Sequence, residues 1–293
     1  MGTPPAEVEI TVSLVQNLLT EQHPDLSTLP ISALESGWDN MLFRLGDEYL
    51  VRMPRRELGS QLLDHELTWL PRLQSKLPIP IPHLVRVGMP GLGYPWKWSI
   101  VQWISGNAAD LSCIDSSQAV QIAEFLKTLH SIPPIDAPIS TVRGVPLRDR
   151  ADDCERRMRN AEKLSDLINP KIWAAWEKGL NAPDASECCL LHGDLHPRNI
   201  LLQDGVISGV IDWGDITSGD VATDLSSFWM LFQSQADREA AIAHYGLTCP
   251  DTIDRARGWA VHFGVIFLET GLQDNPRHAR LGERILRQIA ESG

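Results

Sequence analysis

Residues 190–202 read LLHGDLHPRNILL, placing two histidines, an aspartate and an asparagine inside an otherwise apolar run. Three readings compete for that crowding. His192, Asp194 and His196 stand at i, i+2 and i+4, which on a strand puts three ligands on one face, as a zinc hydrolase would use them. The remaining histidines (His23, His65, His83, His130, His244, His262 and His278) form no second cluster, and Pro197 disfavours a continuing strand. A buried loop whose polar side chains cap turns explains each residue singly, but not their joint spacing. Asp194 and Asn199 are five apart, and with His192 they spell H-x-D-x-x-x-x-N, the spacing of a phosphoryl-transfer loop.

The chain that follows supports this third reading. Asp204-Gly205 lies between apolar runs and predicts a two-residue hairpin turn. A hairpin there doubles the chain back and carries Asp212 towards Asn199. One amide oxygen and one carboxylate then face the same space, a donor set suited to Mg²⁺, which takes the rest of its shell from water and substrate phosphates. Asp194 would lie beside that metal without ligating it, orienting an attacking hydroxyl and accepting its proton. His192 and His196 are expected to orient the loop through hydrogen bonds.

The 293 residues carry a formal net charge of −12 and are 43% hydrophobic. The acidic balance disfavours a general nucleic-acid binder, since phosphate neutralisation needs a basic surface. It is compatible with a cationic small partner. No apolar run approaches the ~20 residues of a spanning helix, and the N-terminus lacks the basic and apolar regions of a signal peptide. The five cysteines form no C-x-x-C pair, so a reduced, cytoplasmic chain is expected.

Helical spacing covers residues 6–22, then short strands are predicted at ISALE, MLFRLG and EYLVRM, the last two joined at Gly46-Asp47. Residues 58–73 are helical in pattern, with Pro71 near the end, and strands follow at HLVRV and WSIVQWI. Beyond residue 117 helical periods dominate, at residues 120–129, 151–168, 220–234, 252–270 and 276–291. The plan is α+β with two lobes, residues 1–104 and 105–293.

HGDLHPRNILL followed by GVIDWGDITSGDVATDLS resembles the aminoglycoside phosphotransferase family, and SGWDNMLFRLGDEYLVRMPRR, HELTWLPRL, LPIPIPHLV and GYPWKWSIVQWISG fit that family's order of elements. The resemblance runs from about residue 30 to 232. It implies a protein-kinase-like fold, with a β-sheet N-lobe, a hinge and a helical C-lobe. It further implies ATP or GTP as phosphoryl donor, magnesium as cofactor and a small-molecule hydroxyl as acceptor. By position, Asp194 matches the catalytic aspartate, and Asn199 and Asp212 match the magnesium ligands. Ser36, Gly37 and Asn40 fall where the phosphate-covering loop belongs, although G-x-G-x-x-G is absent. Gln102, Trp103 and Ile104 would form the hinge, their backbone meeting an adenine edge, with Leu201 and Ile211 as the apolar floor under the base. YLVRM supplies Arg52 where a protein kinase has lysine, and its planar fork is not equivalent to an ammonium. Glu66 lies on the inward stripe of residues 58–73, where a carboxylate is costly unless paired. An Arg52–Glu66 ion pair is therefore expected.

Only seven residues separate Asp212 from Asp220, which leaves no room for a long activation loop or a peptide platform. The acceptor expected is an aminoglycoside-like or other cationic antibiotic. Its rivals are a metabolic small-molecule kinase acting on an amino alcohol or sugar, and a nucleotide-binding regulator without catalysis. Asp220 and Asp224 are expected to cap helices or brace the loop. The stripe Trp259, His262, Phe263, Ile266 and Glu269 is expected to be core rather than an acceptor wall, and Asp152, Asp153 and Glu155 a solvated face.

Overall fold

The computed structural model describes residues 5–34 and 37–291, which divide into two compact units. The first holds the described residues up to Ser105 together with Gly209–Gly214; the second holds Gly106–Ser208 and residues 215–291. Residues 209–214, which the sequence division at 104/105 assigns to the second lobe, thus belong to the first unit. Among the described residues, no helix is long and apolar enough to cross a membrane.

The first unit comprises helix α1 (Val12–Gln22), strands β1 (Ile31–Ala33), β2 (Asn40–Leu45) and β3 (Tyr49–Pro54), helix α2 (Glu57–Leu73), and strands β4 (Leu84–Gly88) and β5 (Trp98–Gln102). The five strands form one antiparallel sheet in the order β1-β2-β3-β5-β4. Register sets Phe43 opposite Val51 and Val51 opposite Ile100. These residues, with Leu45, Met53 and Trp98, share a buried core with Val15, Leu18 and Leu19 of α1. Strand periodicity sends Arg52 to the other face, where Leu42 and Ser99 are its register partners.

Helix α1 is shorter than its apolar spacing predicts. It starts at Val12, where the Thr11 hydroxyl accepts the Leu14 N–H at 3.1 Å, a typical N-cap bond. The preceding segment has no regular structure, is tied by the Glu7 N–H to Arg55 O at 2.8 Å, and packs Val8 and Ile10 on the core. Pro71 falls in the last turn of α2, which ends two residues later.

In the second unit follow β6 (Asn107–Ala108), α3 (Gln118–Ser131), α4 (Ala151–Glu162), α5 (Pro170–Asn181), β7 (Cys189–Leu191), β8 (Ile200–Gln203), β9 (Val206–Val210) and β10 (Thr217–Gly219). Strand β9 runs on into the first unit's Gly209–Gly214 segment. Helices α6 (Ala222–Leu225), α7 (Ser227–Leu231), α8 (Gln235–Tyr245), α9 (Pro250–Gln273) and α10 (Pro276–Glu291) complete the unit. Small sheets β6-β8-β9 and β10-β7 flank the segment quoted first. The β8–β9 turn has Asp204 at φ 53° and Gly205 at φ 84°. Positive φ at both central residues is the turn type that Asp-Gly predicts. Helix α9 is the unit's axis, packed by α4, α5, α6 and α10. Helix α4 stops at Glu162 rather than 168, and the pattern at 220–234 resolves into the short buried helices α6 and α7.

Candidate active site

Asp194 sits in the loop between β7 and a turn of 3₁₀ helix at Pro197–Asn199. That loop is pinned from below by Asp224, a fully buried carboxylate on α6 that accepts the His192 N–H at 2.8 Å and the Gly193 N–H at 2.9 Å. Asp224 is braced in turn: His130 on α3 lies 3.3 Å from it and bridges to the Tyr245 hydroxyl at 2.8 Å. Burial pushes the Tyr245 hydroxyl well above the ordinary tyrosine range, so it remains a donor. Gly193 holds φ 84°, and a Cβ there would meet Asp215 O at 2.3 Å, so no other residue fits.

The loop then closes on itself. The Asp194 N–H donates to His192 Nδ1 at 3.2 Å, and the His196 N–H to Asp194 O at 2.9 Å. Asn199 Nδ2 donates to Asp194 O at 2.9 Å and to its Oδ2 at 3.3 Å. With its nitrogen so committed, Asn199 keeps its amide oxygen as the free acceptor atom. His196 Nε2 lies 3.2 Å from Asp194 Oδ2, and its ring packs edge-on to Phe267 with centroids 4.9 Å apart.

Arg143, from the irregular stretch between α3 and α4, donates to Asp194 Oδ1 at 2.6 Å and lays its guanidinium 4.8 Å over the Phe263 ring. Burial works to raise the Asp194 carboxyl, and Arg143 and His196 outweigh it, holding the group well below the ordinary carboxylate range. The sequence carried no signal for Arg143. The stripe on α9 is buried as expected at Trp259, His262, Phe263 and Glu269. His262 is neutral: burial lowers its pKa well below the usual value, and Arg143 and Arg150 push the same way. Asp153, 28% exposed, lies beside exposed Asp152 on the face of α4 expected to be solvated, and arginines gather around it. It takes Arg150 at 3.3 Å, Arg156 at 2.5 Å and Arg157 at 2.9 Å.

In the first unit, Arg52 and Glu66 form the pair that an inward carboxylate demands, at 2.7 Å, with side chains 7% and 3% exposed. Glu66 also accepts the Trp213 N–H at 2.8 Å, and Arg52 reaches Asp212 Oδ1 at 3.2 Å. Burial works against the Arg52 charge, and Glu66 and Asp212 overcome it, so the guanidinium stays protonated. His65 Nδ1 to Gly214 O at 2.9 Å and the Val210 N–H to Pro80 O at 2.9 Å complete the attachment of Gly209–Gly214. Asp212 holds φ 65°, a conformation uncommon outside glycine that Asp tolerates. Its side chain is 54% exposed, leaving carboxylate surface beyond the Arg52 contact.

The other nucleotide-binding candidates are differently placed. Ser36 lies outside the described residues. Gly37 donates to Asn40 O at 2.9 Å and accepts from Arg55 at 3.1 Å, closing a tight loop. Asn40 Oδ1 is buried without a hydrogen-bond partner among the described residues. Two of the three hinge amides are already committed, Gln102 N–H to His83 O at 2.8 Å and Trp103 N–H to Glu48 O at 2.7 Å. Ile104, the third hinge candidate, is half-buried. The Trp103 ring lies under Arg44, 3.9 Å away. Leu201 on β8 and Ile211 after β9 are each half-buried. The zinc reading finds no geometry, because no three His, Cys, Asp or Glu side chains among the described residues cluster as a metal site.

A five-stranded antiparallel sheet unit and a mostly helical unit bearing the Asp194 loop define the protein-kinase-like class. A model of the phosphotransferase enzyme family matches residues 30–259, and the chain belongs to that family. An aminoglycoside 3′-phosphotransferase of Escherichia coli is 26% identical over 136 residues, covering 44% of this chain and 49% of its own length. The chain spans about half the length of the curated aminoglycoside phosphotransferases it matches, 49% to 60%. Among solved structures, the GDP and kanamycin complex of APH(2″)-IIia has a TM-score of 0.71 at 18% identity, covering 95% of this chain and 99% of that one. The macrolide 2′-phosphotransferase MphH from Brachybacterium faecium has a TM-score of 0.63 at 18% identity, covering 94% and 98%.

Proposed function

We propose that this chain is a magnesium-dependent O-phosphotransferase that moves the γ-phosphoryl group of ATP or GTP to a hydroxyl of a small molecule. The observation that carries this reading is the Asp194 loop, in which a carboxylate and the amide oxygen of Asn199 are presented by a backbone that Asp224 holds fixed. Asp194 orients the acceptor hydroxyl and takes its proton. Asn199 and Asp212 contribute hard oxygen donors that suit Mg²⁺ together with phosphate oxygens and water. When bound, the ion neutralises charge on the transferring phosphoryl group. Arg52, kept charged by Glu66, is the residue for the donor's phosphates, and Gly37, Asn40, Ile104, Leu201 and Ile211 belong to the nucleotide site. The GDP held in the APH(2″)-IIia complex and the family match support a nucleotide donor. The reaction is cytoplasmic in this reading, which rests on the absence of paired cysteine motifs from the sequence.

The aminoglycoside and macrolide phosphotransferases among its relatives support an aminoglycoside-like or other cationic antibiotic as acceptor. A metabolic small-molecule kinase is the second reading, and the observation that favours it is Arg143, a cation placed on the carboxylate that an acceptor must approach. The deciding experiment measures nucleoside diphosphate release and phosphoryl transfer from ATP and GTP with Mg²⁺, across aminoglycosides, macrolides, choline and sugars, beside Asp194→Ala. Transfer that the substitution abolishes supports the reading. Tight nucleotide binding without turnover on any acceptor replaces it with a nucleotide-binding regulator.

A further inference from the structure

The charges around Asp194 argue for a definite kind of acceptor. Four arginines, Arg143, Arg150, Arg156 and Arg157, surround three carboxylates, and each carboxylate is already engaged. Asp194 holds Arg143 at 2.6 Å and His196 at 3.2 Å. Asp153 holds Arg150, Arg156 and Arg157. Glu269 holds Arg157 and the Asn160 amide at 3.2 Å, with Arg156 at 3.8 Å. An ammonium group arriving here meets no uncommitted carboxylate within this cluster and must displace an arginine from one.

Donors, by contrast, are left over. Among the described residues, Arg143 Nε and Arg150 Nε are buried N–H groups with no hydrogen-bond partner, and Arg143 and Arg150 lie close enough for their charges to act on each other. His262, fully buried, finds no partner for either ring nitrogen among the described residues, and its ring lies 6.2 Å from that of Phe263, over which Arg143 is stacked. Buried donors without partners are rare, because each carries a desolvation cost that a hydrogen bond would offset. Guanidinium donors so placed match a planar or tetrahedral oxyanion.

We propose that the acceptor is a hydroxyl-bearing small molecule with an anionic substituent, a carboxylate or a phosphate, recognised by Arg143 and Arg150. The anionic group draws the Arg143 guanidinium off Asp194, and the freed carboxylate then accepts a hydrogen bond from the acceptor hydroxyl. Arg143 is thereby the specificity-determining residue: it couples Asp194 to the presence of an anion and disfavours polycations. This inference rests on Asp194 as the acceptor-facing base and takes the metabolic small-molecule kinase, the second reading above, over the cationic-antibiotic one.

Calorimetric titration of the full chain with glucuronate, glucose 6-phosphate, glucose and kanamycin tests it without requiring turnover. At least tenfold tighter binding of one anionic sugar than of glucose and kanamycin is expected, and preference between glucuronate and glucose 6-phosphate identifies the oxyanion. Arg143→Met should erase the anion preference, and Arg143→Lys should restore part of it. Should Arg143→Met fail to fold, Arg150→Met is expected to weaken anion binding about tenfold. Equal or tighter binding of kanamycin, anion preference surviving in folded Arg143→Met, or no binding of either anionic sugar overturns the inference. Phosphoryl transfer to kanamycin would overturn it while leaving the phosphotransferase reading intact. Anion binding that depends on Arg143, with no transfer from any nucleotide, would do the reverse.

Discussion

Each unit of the molecule contains an arginine paired with a carboxylate, and the two pairs are built differently. Arg52 and Glu66 are 7% and 3% exposed, and every charge is answered, since Glu66 also takes the Trp213 N–H and Arg52 also takes Asp212. Arg143 and Asp194 are 18% and 17% exposed, and Arg143 Nε has no partner among the described residues. A closed buried pair is costly to break and cheap to keep, because removing one partner strands the other charge in a low-dielectric interior. A half-open pair can exchange partners. Permanence suits a residue that holds donor phosphates; exchangeability suits a residue that meets a changing acceptor.

Five variants and one change of pH would break or sharpen that contrast. Asp194→Ala should lower kcat about 1,000-fold, equivalent to about 4 kcal/mol in the barrier, while the melting midpoint falls less than in Glu66→Ala because Arg143, 18% exposed, can reach water. A midpoint loss as large as that of Glu66→Ala would erase the distinction between the pairs. Glu66→Ala should destabilise the fold by roughly 3–5 kcal/mol in denaturant titration. The double substitution Arg52→Met/Glu66→Leu should recover most of that loss, though not nucleotide affinity.

Acid should act on the second unit. His278 is lowered from 6.5 to about 4 by burial and by Arg198, and His262 moves the same way. These histidines are neutral when folded and protonate on unfolding, so the unfolded chain binds more protons below pH 6.5. Stability should fall as pH drops from 6.5 towards 4, by roughly 3 kcal/mol for His278. His278→Gln should flatten the slope of unfolding free energy against pH. The smallest effect is expected from Gly205→Ala, where φ 84° costs a side chain about 1 kcal/mol. It should leave both pairs, and turnover, unchanged.

What could be read from the sequence follows from periodicity. The sheet, α2 and the Arg52–Glu66 pair were legible because a polar residue on an apolar stripe must be answered by something opposite. The Asp204-Gly205 turn was legible because only a few dipeptides tolerate two positive φ values in succession. Val8 misled, since an apolar residue that packs on the core from an irregular segment can fall by chance in a helical period. Helices α5 and α8 left signals at their ends that periodicity alone passes over. Asn169 accepts the Lys171 and Ile172 N–H groups ahead of Pro170, and Ser234 and Gly246 bracket α8. Arg143 was illegible for a different reason. It comes from a stretch without regular structure, 51 residues from Asp194, and no spacing rule relates the two. The attachment of Gly209–Gly214 to the first unit was hidden likewise, because it depends on Glu66 and His65 accepting and donating far along the chain.

Asp224 has a consequence for how the Asp194 loop behaves in time. Surface loops ordinarily exchange their amide hydrogens with solvent through small local openings. The His192 and Gly193 amides instead end on a carboxylate with no solvent exposure, itself held by His130. Their release requires the interior of the second unit to open. These two loop amides should therefore exchange with deuterium as slowly as the central turns of α9, and the loop spends almost no conformational entropy when a ligand arrives.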